Sequence, residues 1–150
     1  MQQTLVLVKP DAVQRGLVGE IILRLEQRGL KIVGLKMLHV QEELARRHYA
    51  DHKDKPFFQS LVHFITSSPI VAAVFEGRNA VEAVRQVMGK TDCIQAIPGT
   101  IRGDLGLDLE HNLVHGSDSE ENAEKEIGLF FSQDELLSYE RTIDKWITAS

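Results

Sequence analysis

His115 stands at the end of a short apolar run, Asn112-Leu-Val-His115, directly before Gly116. An imidazole of ordinary pKa, about 6.5, is largely neutral near pH 7 and is therefore a competent nucleophile. A glycine beside it lets the backbone come close to a ligand. Ser117-x-x-Glu120 has the capping-box pattern and predicts a helix start. The first amides of a helix beginning near Ser119 favour an anion at this turn. Glu126 falls one to two turns into that helix and flanks its apolar stripe. A carboxylate there reaches one ring nitrogen of His115, fixes the tautomer and leaves the other nitrogen free to attack. The bland alternative is a strand-end histidine followed by a capping serine.

Three basic residues supply the complement. Lys9 follows a buried strand, Arg85 lies on a helix that runs toward Thr91, and Arg102 follows Pro98-Gly-Thr-Ile101. Cations beside turns suit phosphate oxygens, arginine as a bidentate fork and lysine as a point charge. Neither a Walker A loop nor G-x-G-x-x-G is present, so side chains rather than a glycine loop must hold a bound nucleotide. Phe57 and Phe58 offer a stacking face for a base, although phenylalanine at helical spacing also suits a core. The remaining histidines, His39, His48, His52, His63 and His111, read as structural or exposed. His48 and His52 are four apart, a spacing open to metal, but without a cysteine or histidine frame they read as a solvated face.

These groups act against an acidic background. Lys plus Arg is 17 and Asp plus Glu is 22, a net charge of −5, which argues against a nucleic-acid or anionic-membrane surface. The 150 residues, 43% hydrophobic and 26% charged, suit one globular domain spanning 1–150. Cys93 is the only cysteine, so no internal disulfide forms and a reducing, cytoplasmic address is expected. The early apolar run Leu5–Val8 stops at Lys9, too short for a signal core or a membrane span.

The elements that must position the chemistry follow from periodicity. Thr4–Lys9 does not alternate and reads as a strand buried on both faces, ended by Pro10. A helical turn over Asp11–Arg15 follows. Val18, Ile21, Ile22 and Leu25 form a helical stripe that stops at Gly29. Lys31–Val40 and Ile70–Glu76 read as strands, and Asn112–His115 as a short one. Glu42–Tyr49 reads as a polar helix. A further helix, opened by Lys55-Pro56, carries Phe58, Leu61, Val62 and Ile65. Ala80–Met88 reads as a helix, 89–99 as a loop, and Thr100–Leu105 as a short helical turn. Ala123, Ile127, Phe130 and Phe131 share one face of the helix after His115, and Ser132-x-x-Glu135 is a second capping box. With the extra helices set aside, the order is βαββαβ. The expected fold is α/β (α+β) and ferredoxin-like: a four-stranded antiparallel sheet with additional helices, packed on one face. A first strand apolar on both sides then calls for a second layer or a partner subunit.

Several segments together resemble the nucleoside diphosphate kinase family: Lys9-Pro-Asp-Ala-Val13 with Arg15-Gly-Leu-Val-Gly-Glu20, Pro98-Gly-Thr-Ile-Arg-Gly-Asp104, Asn112-Leu-Val-His-Gly-Ser-Asp-Ser119, and Ala123-Glu-Lys-Glu-Ile-Gly-Leu129. The resemblance runs from Thr4 to about Trp146. It implies ping-pong transfer of the γ-phosphate of a nucleoside triphosphate to a nucleoside diphosphate, through phosphohistidine on Nδ1 of His115. Glu126 would hold the other nitrogen and Ser117 would support the site. Lys9, Tyr49, Arg85, Thr91, Arg102 and Asn112 fall on phosphate- and ribose-contacting positions. Phe57 and Leu109 would sandwich the base, giving low base specificity. Mg²⁺ would arrive with the nucleotide, bridging phosphates, with few or no direct protein ligands.

The resemblance also implies a homo-oligomer, here a hexamer with a tetramer as the alternative, and neither a membrane nor a specific nucleic-acid partner. Phe130 stands where many members have tryptophan, and Asp92-Cys93 where many have Asn-Pro. Two rival readings remain: a silent nucleotide-binding scaffold, which should lack the nucleophile or its phosphate ligands, and a histidine phosphocarrier between proteins, which needs no nucleoside pocket.

Overall fold

A computed structural model describes residues 1–149; Ser150 lies outside the described residues. Four strands, β1 (Gln2–Val8), β2 (Lys31–Leu38), β3 (Ile70–Gly77) and β4 (Val114–Gly116), form one sheet in the order β2-β3-β1-β4. Every neighbouring pair is antiparallel. β1 and β2 therefore run parallel on either side of β3, joined by α1 (Pro10–Gln14) and α2 (Val18–Gln27). α5 (Ala80–Met88) and α6 (Ile101–Leu105) lie between β3 and β4 in the chain. This is the expected ferredoxin-like order. Its chemical consequence is that β4 pairs with β1, setting His115 opposite Leu7.

Helices cover both faces of the sheet rather than one. Val6 and Val8 of β1, with Val71, Ala73 and Phe75 of β3, pack against Ile21 and Leu25 of α2 and Val84 and Met88 of α5. Leu5 and Leu7, with Ala72 and Val74, face the other way. They pack on Ala45 of α3 (Glu42–His48), Val62 and Ile65 of α4 (Phe58–Thr66), and Ile127 and Phe130 of α7 (Glu120–Phe130). Successive β1 side chains alternate between two cores, so an unbroken apolar run is what the strand requires. The second layer that β1 calls for comes from this chain's own α3, α4 and α7.

Other differences are local. α4 starts at Phe58, so Pro56 lies in the preceding turn and not in the helix. The strand expected at Asn112 begins at Val114. Leu113 has φ +75, a left-handed backbone that breaks the extended run. Ser119, not Ser117, caps α7 by accepting from the Asn122 N–H. The Ser132/Glu135 box is present, over a 3-10 turn. A last short helix, α8 (Asp144–Ile147), has no counterpart in the sequence reading.

Candidate active site

β4 carries His115, and α7 packs across the end of β1 so that Glu126 faces the imidazole. Nε2 of His115 lies 2.9 Å from Oε1 of Glu126. The Ser117 hydroxyl donates to the same oxygen at 2.7 Å and accepts from the Leu5 N–H at 3.3 Å. Ser117 is fully buried, its position fixed by β1. Its displacement from the cap is thus a gain for the site: a buried hydroxyl with both donor and acceptor satisfied, steering a carboxylate. Burial opposes ionisation of Glu126, but the bonds from His115 and Ser117 outweigh it and hold its pKa below the ordinary value. An ionised carboxylate only accepts, so the proton of this contact belongs to His115 Nε2 and the lone pair to Nδ1.

Gly116 has a different reason from the one its sequence position suggests. A Cβ there would lie 2.5 Å from Met88 Sδ and 3.1 Å from Val84 Cγ1, so the glycine admits α5 against β4.

A basic end adjoins the imidazole. Lys9 is the residue before α1, only 8% exposed, with Nζ 5.7 Å from the centre of the Phe64 ring. Its burial, then the nearby Arg102 charge, bring its pKa down to about 8. Arg102 is buried too, at 6% exposed. Its guanidinium donates to the backbone oxygens of Asn112 at 3.1 Å, Gly89 at 3.1 Å and Val114 at 2.7 Å. The expected phosphate ligand is therefore also a strut holding the loop before β4. Burial lowers the Arg102 pKa to about 10, with Arg85 among the lesser causes, which leaves it charged at neutral pH.

The loop itself is pinned to β1 and α1. Lys9 N–H donates to the Leu113 oxygen at 2.9 Å, and Leu113 N–H donates to Asp11 Oδ2 at 3.0 Å. Asn112 is buried; its Nδ2 donates to the Thr91 oxygen at 3.2 Å, while its Oδ1 accepts nothing among the described residues.

The structure thus joins His115, Glu126 and Ser117 directly and gathers Lys9, Arg102, Asn112 and Thr91 around Leu113. Tyr49 follows α3, its ring 4.7 Å from that of His48, and burial pushes its pKa up to about 12, so it stays a donor. Arg85 is exposed on α5 and makes no ion pair among the described residues. Phe57 and Leu109 are 46% and 55% exposed on separate segments; Phe58 is core.

Sequence reasoning missed two residues. His48 is not on a solvated face: its ring meets that of His115 edge-on, 4.8 Å between centres at 85°, and both its nitrogens are buried. Its spacing from Ala45 and Leu44 was the available signal. Asp11 carries no local signal, because its partner, the Leu113 N–H, lies 102 positions away in the chain.

The family profile described as nucleoside diphosphate kinase matches residues 2–136. The chain belongs to the nucleoside diphosphate kinase family. A nucleoside diphosphate kinase of Thermomicrobium roseum is 63% identical over 98% of this chain and 99% of its own. One from Archaeoglobus fulgidus is 57% identical over 98% and 97%. Among solved structures, the Halobacterium salinarum nucleoside diphosphate kinase in complex with CDP superposes with a TM-score of 0.95 at 56% identity, covering 98% of each chain. A nucleoside diphosphate kinase family protein of Babesia bovis gives 0.96 at 42% identity, covering 99% and 100%. The chain is accordingly a phosphotransferase with the nucleoside diphosphate kinase fold and activity. No described helix is long and apolar enough to cross a membrane.

Proposed function

We propose that His115 carries the transferred phosphate on Nδ1. The observation that carries this reading is the 2.9 Å contact between Nε2 and Glu126, which leaves Nδ1 as the unprotonated nitrogen. In the first half-reaction the Nδ1 lone pair attacks the γ-phosphorus of a nucleoside triphosphate. The Nδ1–P bond forms, the bridging P–O bond breaks, and its electron pair leaves with the nucleoside diphosphate. The Nε2 proton stays on the ring, and the positive charge that develops there lies against ionised Glu126. In the second half-reaction a terminal oxygen of a different nucleoside diphosphate attacks the same phosphorus and restores neutral His115.

Phosphoryl transfer needs in-line placement and charge neutralisation more than covalent help. Lys9, Arg85 and Arg102 neutralise the phosphates. Tyr49 and Thr91 donate hydroxyl hydrogen bonds, and the unpaired Asn112 Oδ1 accepts one from a sugar hydroxyl. Phe57 and Leu109 hold the base between apolar surfaces. Stacking of this kind is tolerant of base identity, since every base has a π-face. Mg²⁺ enters as part of the substrate, bound to its phosphates. The clustered ligand atoms of His48, His115 and Glu126 are mostly nitrogen and do not suit so hard a cation.

Self-assembly fits the exposed Leu35 and Met37 on edge strand β2 and the exposed Ile94 and Ile97 in the 89–99 loop, and we infer a hexamer, with a tetramer as the alternative. A reducing, cytoplasmic setting fits the lone, buried Cys93.

His115→Asn tests the reading. The expected result is loss of all phosphotransfer with nucleotide binding retained. Activity surviving in this variant contradicts the assignment.

A further inference from the structure

His48 presents a problem that the phosphotransfer reaction does not solve. Neither of its ring nitrogens has a hydrogen-bond partner among the described residues, although both are buried. Buried polar atoms are almost always paired, and an unpaired one calls for a water, an ion or a functional partner. The ring is wedged between Tyr49, His115 and Phe130, at centre-to-centre distances of 4.7, 4.8 and 5.3 Å. Burial, then the neighbouring His115, lowers its pKa to about 3, so the imidazole is neutral and its lone pair available at any physiological pH.

Two further donors converge on it. One ring nitrogen each from His48 and His115 and one carboxylate oxygen from Glu126 lie within 4.8 Å of one another. Two imidazoles and a carboxylate are a donor set for a borderline transition-metal cation rather than for Mg²⁺ or Ca²⁺. We propose that His48, His115 and Glu126 form a Zn²⁺-class binding site that inhibits the enzyme by holding His115 in the tautomer whose Nδ1 cannot attack.

Zinc bonds to nitrogen and oxygen are about 2.0–2.2 Å, which places two ligands of one tetrahedral ion roughly 3.3 Å apart. The His115–Glu126 separation of 2.9 Å opens slightly to admit an ion between Nε2 and Oε1 in place of the shared proton, which moves to Nδ1 and takes up the lone pair that attacks phosphorus. His48 turns inward from its present position and breaks no hydrogen bond of its ring in doing so, because the ring makes none among the described residues. The fourth position is open to water or to a phosphate oxygen. Mg²⁺ does not compete for such ligands, so inhibition persists in the excess Mg²⁺ that the nucleotides require. The blockade rests on His115 being the phosphate carrier, whereas the binding of the ion does not.

The test is a titration of metal-free protein with ZnCl₂ against a chromogenic zinc chelator, for the wild type, His48→Phe and His48→Gln. Phenylalanine keeps the ring packing and removes the ligand; glutamine guards against a phenylalanine variant that fails to fold. The expected result is one competitive zinc equivalent per chain in the wild type. Loss of a supporting partner alone costs a metal site about 10–100-fold in affinity, and loss of a direct ligand should cost at least that. Co²⁺ in the same site should show the intense visible absorption of a tetrahedral complex, absent in both variants. Zinc should stop wild-type phosphotransfer, and a zinc-selective chelator should restore it. Wild-type protein that leaves the chelator fully loaded, or variants that bind zinc as tightly, would overturn the site. Zinc bound as expected by a protein with no phosphohistidine would leave the site standing and remove only the blockade.

Discussion

Glu126 Oε1 receives two bonds at once, from His115 Nε2 at 2.9 Å and from the Ser117 hydroxyl at 2.7 Å. One carboxylate oxygen thereby sets the tautomer of His115 while being held in place by a residue tied to β1. Glu126→Gln keeps the shape and removes the charge. A hydrogen bond to a charged group is worth about 1.5–3 kcal/mol, on the order of 10–100-fold in rate. Steady-state kinetics should show that loss in kcat, with KM for the nucleotide little changed.

Ser117→Ala should act differently. It strands the Leu5 N–H in a buried strand and frees Glu126 to wander, so stability should fall by about 1–3 kcal/mol together with a moderate loss of rate. Chemical denaturation read beside kcat separates this from Glu126→Gln, which should spare stability.

Arg102 holds the backbone oxygens of Gly89, Asn112 and Val114. Arg102→Lys keeps one charge and cannot reach all three. Each buried carbonyl left unpaired costs about 1–3 kcal/mol, so the urea midpoint should drop markedly and nucleotide affinity with it. An unchanged midpoint with weakened binding would mean that the strut role is wrong.

The strand and helix order, the βαββαβ frame and the proximity of Glu126 to His115 follow from periods and spacing that lie within one stretch of chain. What escaped depends on distant pairings. The Ser117 spacing satisfies a capping box, but β1 claims the hydroxyl first, and the cap passes to Ser119. Gly116 looked like a ligand contact and is a packing requirement of α5. His48 sits on a short, charged helix, and only the packing of α3 against α7 shows that its ring turns inward. The unbroken β1 run calls for a second layer or a partner subunit, and local sequence alone does not say that this chain's own α3, α4 and α7 supply it in place of helices on one face only.

The depressed Lys9 pKa gives a pH prediction. The free enzyme loses this cation as pH rises through about 8, so nucleotide KM should rise above pH 8. A bound phosphate restores the positive form by pairing with it, so kcat should change less over the same range. KM and kcat profiles from pH 6.5 to 9.5 check this, and Lys9→Arg should flatten the KM rise.

Asp11 tests the pinning of the loop. Its Oδ2 accepts from the N–H of Leu113, whose φ of +75 costs free energy to maintain. Asp11→Ala should lower both stability and activity, because the loop then relaxes and displaces Asn112. Asp11→Asn keeps an acceptor oxygen and should recover most of both. Equal damage from the two variants would show that charge, and not the bond to Leu113, matters there.

The central claim is that Nδ1 of His115 carries the phosphate between nucleotides. The most direct measurement is a pulse and chase with γ-labelled ATP and Mg²⁺, stopped with EDTA and followed by unlabelled GDP. The account predicts acid-labile, base-stable label on the protein that passes quantitatively into GTP, with phosphorus–nitrogen NMR placing it on Nδ1. No label on a protein that still binds nucleotide, or label that GDP does not remove, would contradict it.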